Sequence, residues 1–388
     1  VLLPDPFDLA KRQVAIDGEV IAEDGYRTRK QRKLALSPFG FFRGSARLFY
    51  ELLRDLPELS LASGSVGPIV GDMHLENVGA YRTDADEIAF DLNDFDDATT
   101  GPHWFDTLRL TTSVLLAGRS FQASAPESLA LARELLDAYE AELFTEAPLG
   151  SLARAMAVKP IAELCERARK RTRKELLEMR APLIGGRRSF VRGDRYHDLT
   201  GPEREQLSTI VDAYKTALGP RAPSHAKSWS IVDAAHRVAG TGSLGRLRIA
   251  FLVVDSTGTE RLFEFKEAAA SAAEVVLGSG SMDASQRVLS CAQALAEHPP
   301  RQLAALGETA LGTLCARKLC PEEDKLDLAK LHVGPKLSAV VRVVGETLAR
   351  AHRRSSSPTA SNAGALLDRA VYLAGIFESV YLAYARMI

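Results

Sequence analysis

Two short strings carry side chains that could do chemistry together: "GDMHLENVGAY" (71–81) and "IAFDLNDFDDA" (88–98). Acidic residues gathered this closely hold a metal, move a proton or solvate a surface. In phosphoryl transfer one Asp orients and deprotonates the attacking hydroxyl. An Asn five residues later and an Asp on the next strand hold the Mg²⁺ ions that bridge the nucleotide phosphates. Asp72, Asn77 and Asp94 have that spacing, with an apolar strand, a turn and a second strand between the last two. Such a hairpin folds Asp94 back toward Asn77, and Mg²⁺ needs only a few hard oxygen ligands from the protein. His74 lies inside the string and joins Asp72 as a catalytic candidate. Each residue alone reads better as a solvated hairpin with a satisfied core histidine; the whole string does not.

A second element lies far downstream. Gly240-Thr-Gly242-Ser243-Leu-Gly245 is followed by "RLRIAFLVV", a turn at Asp255–Gly258, and "RLFEFKEA", which carries Lys266. A dinucleotide fingerprint requires a helix directly after the glycines, whereas this loop enters a strand. Strand, glycine loop, strand, turn and a strand with a Lys is the order of a kinase nucleotide flap. Gly240, Gly242, Ser243 and Gly245 would let backbone approach phosphates, and Lys266 would neutralise them. The plain alternative for Lys266 is an edge-strand lysine that blocks aggregation.

The elements that must position these groups run in an unusual order. After the helical "PFGFFRGSARLFYELLRDL" come the short strands of 67–98 and then long helical stretches at 104–121, 127–144 and 151–180. "IGGRRSFVRGDR" breaks the run before the helix "PEREQLSTIVDAYKTAL". Strands dominate from about 226, with a helix at "ASQRVLSCAQALAEH" and a strand pair near "LGTLCARKLC". The chain returns to helix at "LSAVVRVVGETLARAHRR" and, after a Ser/Thr/Ala-rich loop at 355–362, in the last helix. The expected organisation is a catalytic-loop and helical lobe (1–225), a small nucleotide lobe (226–335) and C-terminal helices (336–388) that rejoin the first. Catalytic loop before glycine loop reverses the usual kinase order. A circular permutation, tolerated where termini lie close at the surface, would explain it. The helix "VVRVVGETLARAHRR" would then stand where a helix normally precedes the catalytic loop.

Composition sets bounds. A chain of 388 residues can bury one large core or two to three smaller ones. A formal net charge of −1 provides no global field for nucleic acid or anionic membrane. The basic run "RARKRTRK" (167–174) lacks interleaved aromatics and reads as a solvated helix face. No stretch approaches the roughly 18 apolar residues of a membrane helix, and "VLLPDPFDLAKRQ" lacks signal-peptide order. Four cysteines without C-x-x-C spacing argue against zinc or a disulfide framework, and Cys315 and Cys320 read as buried apolar residues. A cytoplasmic protein is expected, with a nucleotide and an acceptor as partners.

The strings "SPFGFFRGSARLF", "GDMHLENVGAY", "FDLNDFDDATTGPHWFDTLRLTTSVLLA" and "VDAAHRVAGTGSLG…FEFKEA" together resemble the bacterial domain-of-unknown-function family 2252, from about residue 30 to the C-terminus. That family is grouped with kinase-like folds, near aminoglycoside and choline phosphotransferases. The resemblance implies an α+β, kinase-like bilobal fold with a large helical lobe and a small antiparallel-sheet lobe. It implies Asp72 as base, Asn77 and Asp94 as Mg²⁺ ligands, and Lys266 with loop 240–245 on the phosphates of ATP. It also implies that Asp106, in "WFDTLRL", braces the catalytic loop. Arg43 is either a substrate contact or a brace through a carboxylate, and Asp96 is a supporting residue without an assigned role. The family's helix after the lysine strand carries V-V-x-G-Q-R, where this chain has "RVLSCAQALAE". Glu274 is the nearest acidic partner for Lys266, and a poor one. Gly71, where protein kinases have Arg, favours a small-molecule acceptor. The expected activity is an ATP- and Mg²⁺-dependent phosphotransferase. The alternatives are a nucleotide-binding pseudokinase and transfer of a nucleotidyl group.

Overall fold

The last two helices of the chain close back on its middle. Helix Pro335–Ser355 lies against helix Ala125–Leu143, and helix Ala363–Met387 lies against helix His103–Leu116. Ser124 and Glu127 form a reciprocal capping box at the start of Ala125–Leu143, and the Asn362 side chain caps Ala363–Met387. The apolar faces of these helices join Phe41, Phe42 and Phe49 in one continuous cluster reaching from Ala10 to Tyr384. The computed structural model describes residues 4–61, 64–83, 85–146, 152–240, 244–278, 280, 282–321, 323–357 and 362–388.

The helical stretch expected over 151–180 is three helices, Leu152–Met156, Lys159–Lys170 and Arg173–Arg180. Pro160 stands in the first turn of the second, where its missing N–H is harmless, and it cannot continue the first. Thr172 and Glu175 then form a capping box that starts the third.

A six-stranded antiparallel sheet runs in the order Ala304–Thr309, Gly312–Lys318, Glu260–Glu267, Arg248–Val254, Ser230–Arg237, Tyr196–His197. Alternation along the central strand puts Phe263 and Phe265 on one face, packed with Phe251 under Tyr214 of helix Gly201–Leu218. Leu262 and Leu252 share the other face with Leu176 and Leu177. Glu264 and Lys266 also point to that second face, by the same period of two.

Two smaller antiparallel sheets hold the acidic strings. Val78–Arg82 pairs with Ile88–Leu92 and, on its other edge, with Asp324–Lys325. Val66–Ile69 pairs with Thr99–Pro102. The segment leaving the six-stranded sheet is thus paired along the hairpin that carries the first acidic string. The architecture is mixed α+β with antiparallel sheets. Among the described residues no helix is long and apolar enough to cross a membrane.

Candidate active site

Helix His103–Leu116 is buried on almost every face, yet it carries Asp106, Thr107, Arg109, Thr111, Thr112 and Ser113. The hydroxyls of Thr111 and Thr112 donate to carbonyls one turn back, at 2.7 and 2.8 Å, so they are satisfied within the helix. Asp106, Arg109 and Ser113 stand at i, i+3 and i+7, on one stripe, and all three hold the first acidic string. Asp106 Oδ2 accepts from the Val70 amide at 2.6 Å and its Oδ1 from the Gly71 amide at 2.9 Å. Ser113 Oγ accepts from the Leu75 amide at 3.2 Å. Arg109 donates to Asp72 Oδ1 through Nε at 2.8 Å and through Nη2 at 2.5 Å. The same guanidinium donates to the Phe42 carbonyl at 3.0 Å and lies over the Phe42 ring, 4.3 Å from its centroid. From outside the helix, the Tyr50 hydroxyl donates to the Gly71 carbonyl at 2.7 Å.

Gly71 sits at φ +76°, and a Cβ there would collide with the Asp97 carbonyl. This explains why the string opens on Gly, since no side chain fits. Burial pushes the Asp72 carboxyl up to about 7, against the pull of Arg109, with Asp97 and Asp94 adding to the rise. Asn77 donates its amide N–H to the Asp72 carbonyl at 2.6 Å, which leaves its oxygen as the atom able to meet a cation. The hairpin register pairs Val78 with Leu92, and the Asn93 amide donates to the Asn77 carbonyl at 3.1 Å. Asp94 therefore follows directly on the residue opposite Asn77. Desolvation would raise the Asp94 carboxyl, but Lys266, Lys325, Arg248 and Arg317 outweigh it and hold the group below the ordinary carboxylate range. Among the described residues no group of three or more His, Cys, Asp or Glu gathers to hold a metal alone. An ionised carboxylate and an amide oxygen are nevertheless donor types that suit Mg²⁺, which takes its remaining ligands from phosphates and water.

Asp94, Asp96, Gly240 and Lys266 line one cleft of about 430 Å³ between the hairpin and the second face of the six-stranded sheet. The second acidic string thus meets the Gly240 turn and Lys266 there, whereas Asp72, His74 and Asn77 are not among the lining residues. Lys266 forms an ion pair with Asp96. Burial pulls the Lys266 ammonium below its ordinary value, with Asp94 opposing. Glu274 is not its partner: it closes a capping box with Ser271 and lies 3.1 Å from Arg287 Nε. Gly240 and Gly245 have φ of +85° and +86°, and Lys33 donates to the Gly240 carbonyl at 3.1 Å. Leu244 packs with Ile21 and Val238, so Ile21 and Lys33 touch the two described ends of the loop. Gly242 and Ser243 are outside the described residues.

The other named residues have structural partners. Arg43 pairs with Glu76 at 2.8 Å and so braces the string through a carboxylate. His74 is buried and accepts the Glu76 amide on Nδ1 at 3.2 Å. Desolvation holds its imidazole well below its ordinary value, hence neutral. Asp91 accepts the Glu297 amide, and Asp97 accepts the Ala272 amide at a helix start. Within the basic run, Arg167 and Arg171 pair with Asp324, and Arg169 and Lys170 with Glu166.

Sequence reasoning missed Arg109, Arg237, Arg248, Glu264, Arg317 and Lys325. Signals existed for some. Arg109 is three residues after Asp106, and Glu264 is two before Lys266 on the same strand face. Arg237 and Arg248 flank the glycine loop. Lys325 had none, because its place depends on the Asp324–Lys325 strand pairing with the hairpin.

A family model described as "Uncharacterized protein conserved in bacteria (DUF2252)" matches residues 26–386. Neither the comparison with curated proteins nor that with solved structures returns a match.

Proposed function

The chain belongs to this bacterial family, and from its site we propose an ATP- and Mg²⁺-dependent phosphotransferase acting on a hydroxyl acceptor. Its plan is kinase-like and circularly permuted. The helical part supplies the catalytic loop first, and the six-stranded sheet supplies the glycine loop and Lys266 later. The observation that carries this reading is the meeting of Asp94 and Asp96 with Lys266 and Gly240 in one cleft. The Asp106 bonds to the Val70 and Gly71 amides support it, since they are the brace that such a catalytic loop requires.

In this reading Asp72 takes the acceptor hydroxyl's proton. A carboxyl near 7 is well matched to that task at neutral pH, and Arg109 fixes its orientation. Asn77 and Asp94 would hold Mg²⁺, which when bound neutralises charge on the phosphate oxygens. Lys266 exchanges Asp96 for the nucleotide's phosphates, and the Gly240 turn brings backbone close to them. Catalysis is then mostly positioning and charge neutralisation. A non-catalytic nucleotide binder, the alternative reading, would bind ATP with Mg²⁺ and yield no phosphorylated product. The deciding experiment is nucleotide turnover by Asp94→Ala beside the wild type, with circular dichroism to show that the variant is folded. Turnover should vanish; unchanged turnover would sink the proposal.

A further inference from the structure

Deeper in the same cleft, three arginines surround one buried glutamate. Arg237 Nη1 donates to Glu264 Oε1 at 2.5 Å, Arg248 Nη1 lies 3.6 Å from that oxygen, and Arg317 Nε lies 3.7 Å from Oε2. Glu264 is fully enclosed, and Arg237 and Arg248 are nearly so, with side chains 12% and 9% exposed. The register sets Arg248 directly opposite Lys266, and Glu264 directly opposite Arg317. Like charges placed opposite one another on neighbouring strands destabilise a sheet, and buried charges cost more still when incompletely paired. Two further carboxylates reach the group: Arg317 donates to Glu323 at 2.9 Å, and Asp96, which also pairs with Lys266, lies 3.9 Å from Arg248.

The rest of the cleft lining is balanced, so with Glu264 counted the excess stays at two positive charges. Among the described residues, seven Arg or Lys and four Asp or Glu line the cleft. Lys325 faces the group from the hairpin side, close enough for its charge to act on both Asp94 and Lys266. Desolvation would raise the Glu264 carboxyl, but Arg237, Arg248 and Arg317 together hold it at about 2, so it stays ionised at neutral pH. Neither Glu264 Oε2 nor Arg237 Nε has a hydrogen-bond partner among the described residues. A sheet face that needed only stability would bear apolar side chains here, as the opposite face does.

We infer that Arg237, Arg248 and Arg317, oriented by Glu264, form an anion subsite that takes a phosphate or pyrophosphate group. Guanidinium forks match phosphate oxygens two at a time. A ligand bearing two or more charges matches the excess of two, because a single carboxylate would leave half of it in place. The group comes either from the phosphate tail of the donor nucleotide, lying across the sheet, or from a phosphorylated acceptor. The subsite stands whether or not the cleft transfers a group.

The test is calorimetric titration of the full chain with tripolyphosphate, without nucleoside or metal, so it reads binding even where turnover is absent. The wild type should bind, and Arg317→Gln and Arg237→Gln should each weaken binding about tenfold, at the scale of one charge-assisted contact. Arg317 is the more exposed of the two, at 27%, so its variant carries the test should Arg237→Gln fail to fold. Failure of the wild type to bind, or equal binding by a folded Arg317→Gln, overturns the inference. Competition then identifies the source. Displacement of tripolyphosphate by ATP assigns the subsite to the donor's tail, and simultaneous binding assigns it to a phosphorylated acceptor.

Discussion

Asp72 and Arg109 share an ion pair of unequal halves: the guanidinium is completely enclosed, whereas the carboxylate side chain is 21% exposed. The arginine is fixed from behind by the Phe42 carbonyl and by the Phe42 and Phe49 rings, so it acts as a rigid seat for the carboxylate. Only Oδ1 receives its hydrogen bonds, and the structure gives Oδ2 no such partner among the described residues. Asp72→Asn keeps an oxygen for Arg109 but removes the base. It should lower turnover by roughly 10²–10⁴-fold and leave nucleotide affinity within about twofold. Steady-state turnover paired with nucleotide titration checks this, and an active Asp72→Asn would remove Asp72 from the chemistry.

Asp106 satisfies two buried amides at once. Asp106→Ala should orphan both, at about 1–3 kcal/mol for each, and Asp106→Asn should cost about half as much because one oxygen remains. Urea unfolding curves of the three proteins give the comparison. Coincident curves would mean that the Val70 and Gly71 amides find other acceptors.

Gly71→Ala meets two obstacles, a backbone at φ +76° and the Asp97 carbonyl. The left-handed conformation costs roughly 1–2 kcal/mol for a residue with a Cβ, and forcing the overlap costs roughly 1–3 kcal/mol more. The melting temperature should fall by several degrees. Gly201→Ala, where nothing stands within 4 Å of the added Cβ, is the matched control.

Burial lowers the His103 imidazole to about 3, with neighbouring His352 adding to the effect; the two rings stack at 4.0 Å. Below its ordinary value of 6.5, the unfolded chain takes up a proton that the folded chain refuses. The contribution of His103 to stability is therefore complete above pH 6.5 and is lost as pH falls toward 3, at up to about 1.4 kcal/mol per pH unit. His103→Gln should flatten the stability profile in that window and leave its slope above pH 7 unchanged. Urea midpoints measured from pH 4 to 8 decide the matter.

How much was legible follows the range of the interactions. Asp72, Asn77 and Asp94 stood out because their roles depend on local spacing along one hairpin. Asp106 was legible only through family resemblance, and its bonds to Val70 and Gly71 give that placement a physical basis. The partner of Lys266 was not legible. Nearness in sequence suggested Glu274, but Ser271 three residues before it makes Glu274 a helix cap, and the partner comes from the hairpin. The arginines around Glu264 belong to three different strands, so no local pattern brings them together. The break at Pro160 could have been seen, since proline in a first turn marks a start. Its flanks, rich in helix formers, concealed it.

The stripe of Asp106, Arg109 and Ser113 has a consequence for how the protein moves. The amides of Val70, Gly71 and Leu75 end on side chains of a helix enclosed by the main core. Their protons should reach solvent deuterium only when that core comes apart, at the slowest rates in the molecule. The first acidic string would then behave as a fixed anvil. Any closure on a ligand would come from the sheet side, where Lys266 and Gly240 face Asp94 and Asp96 of the second string.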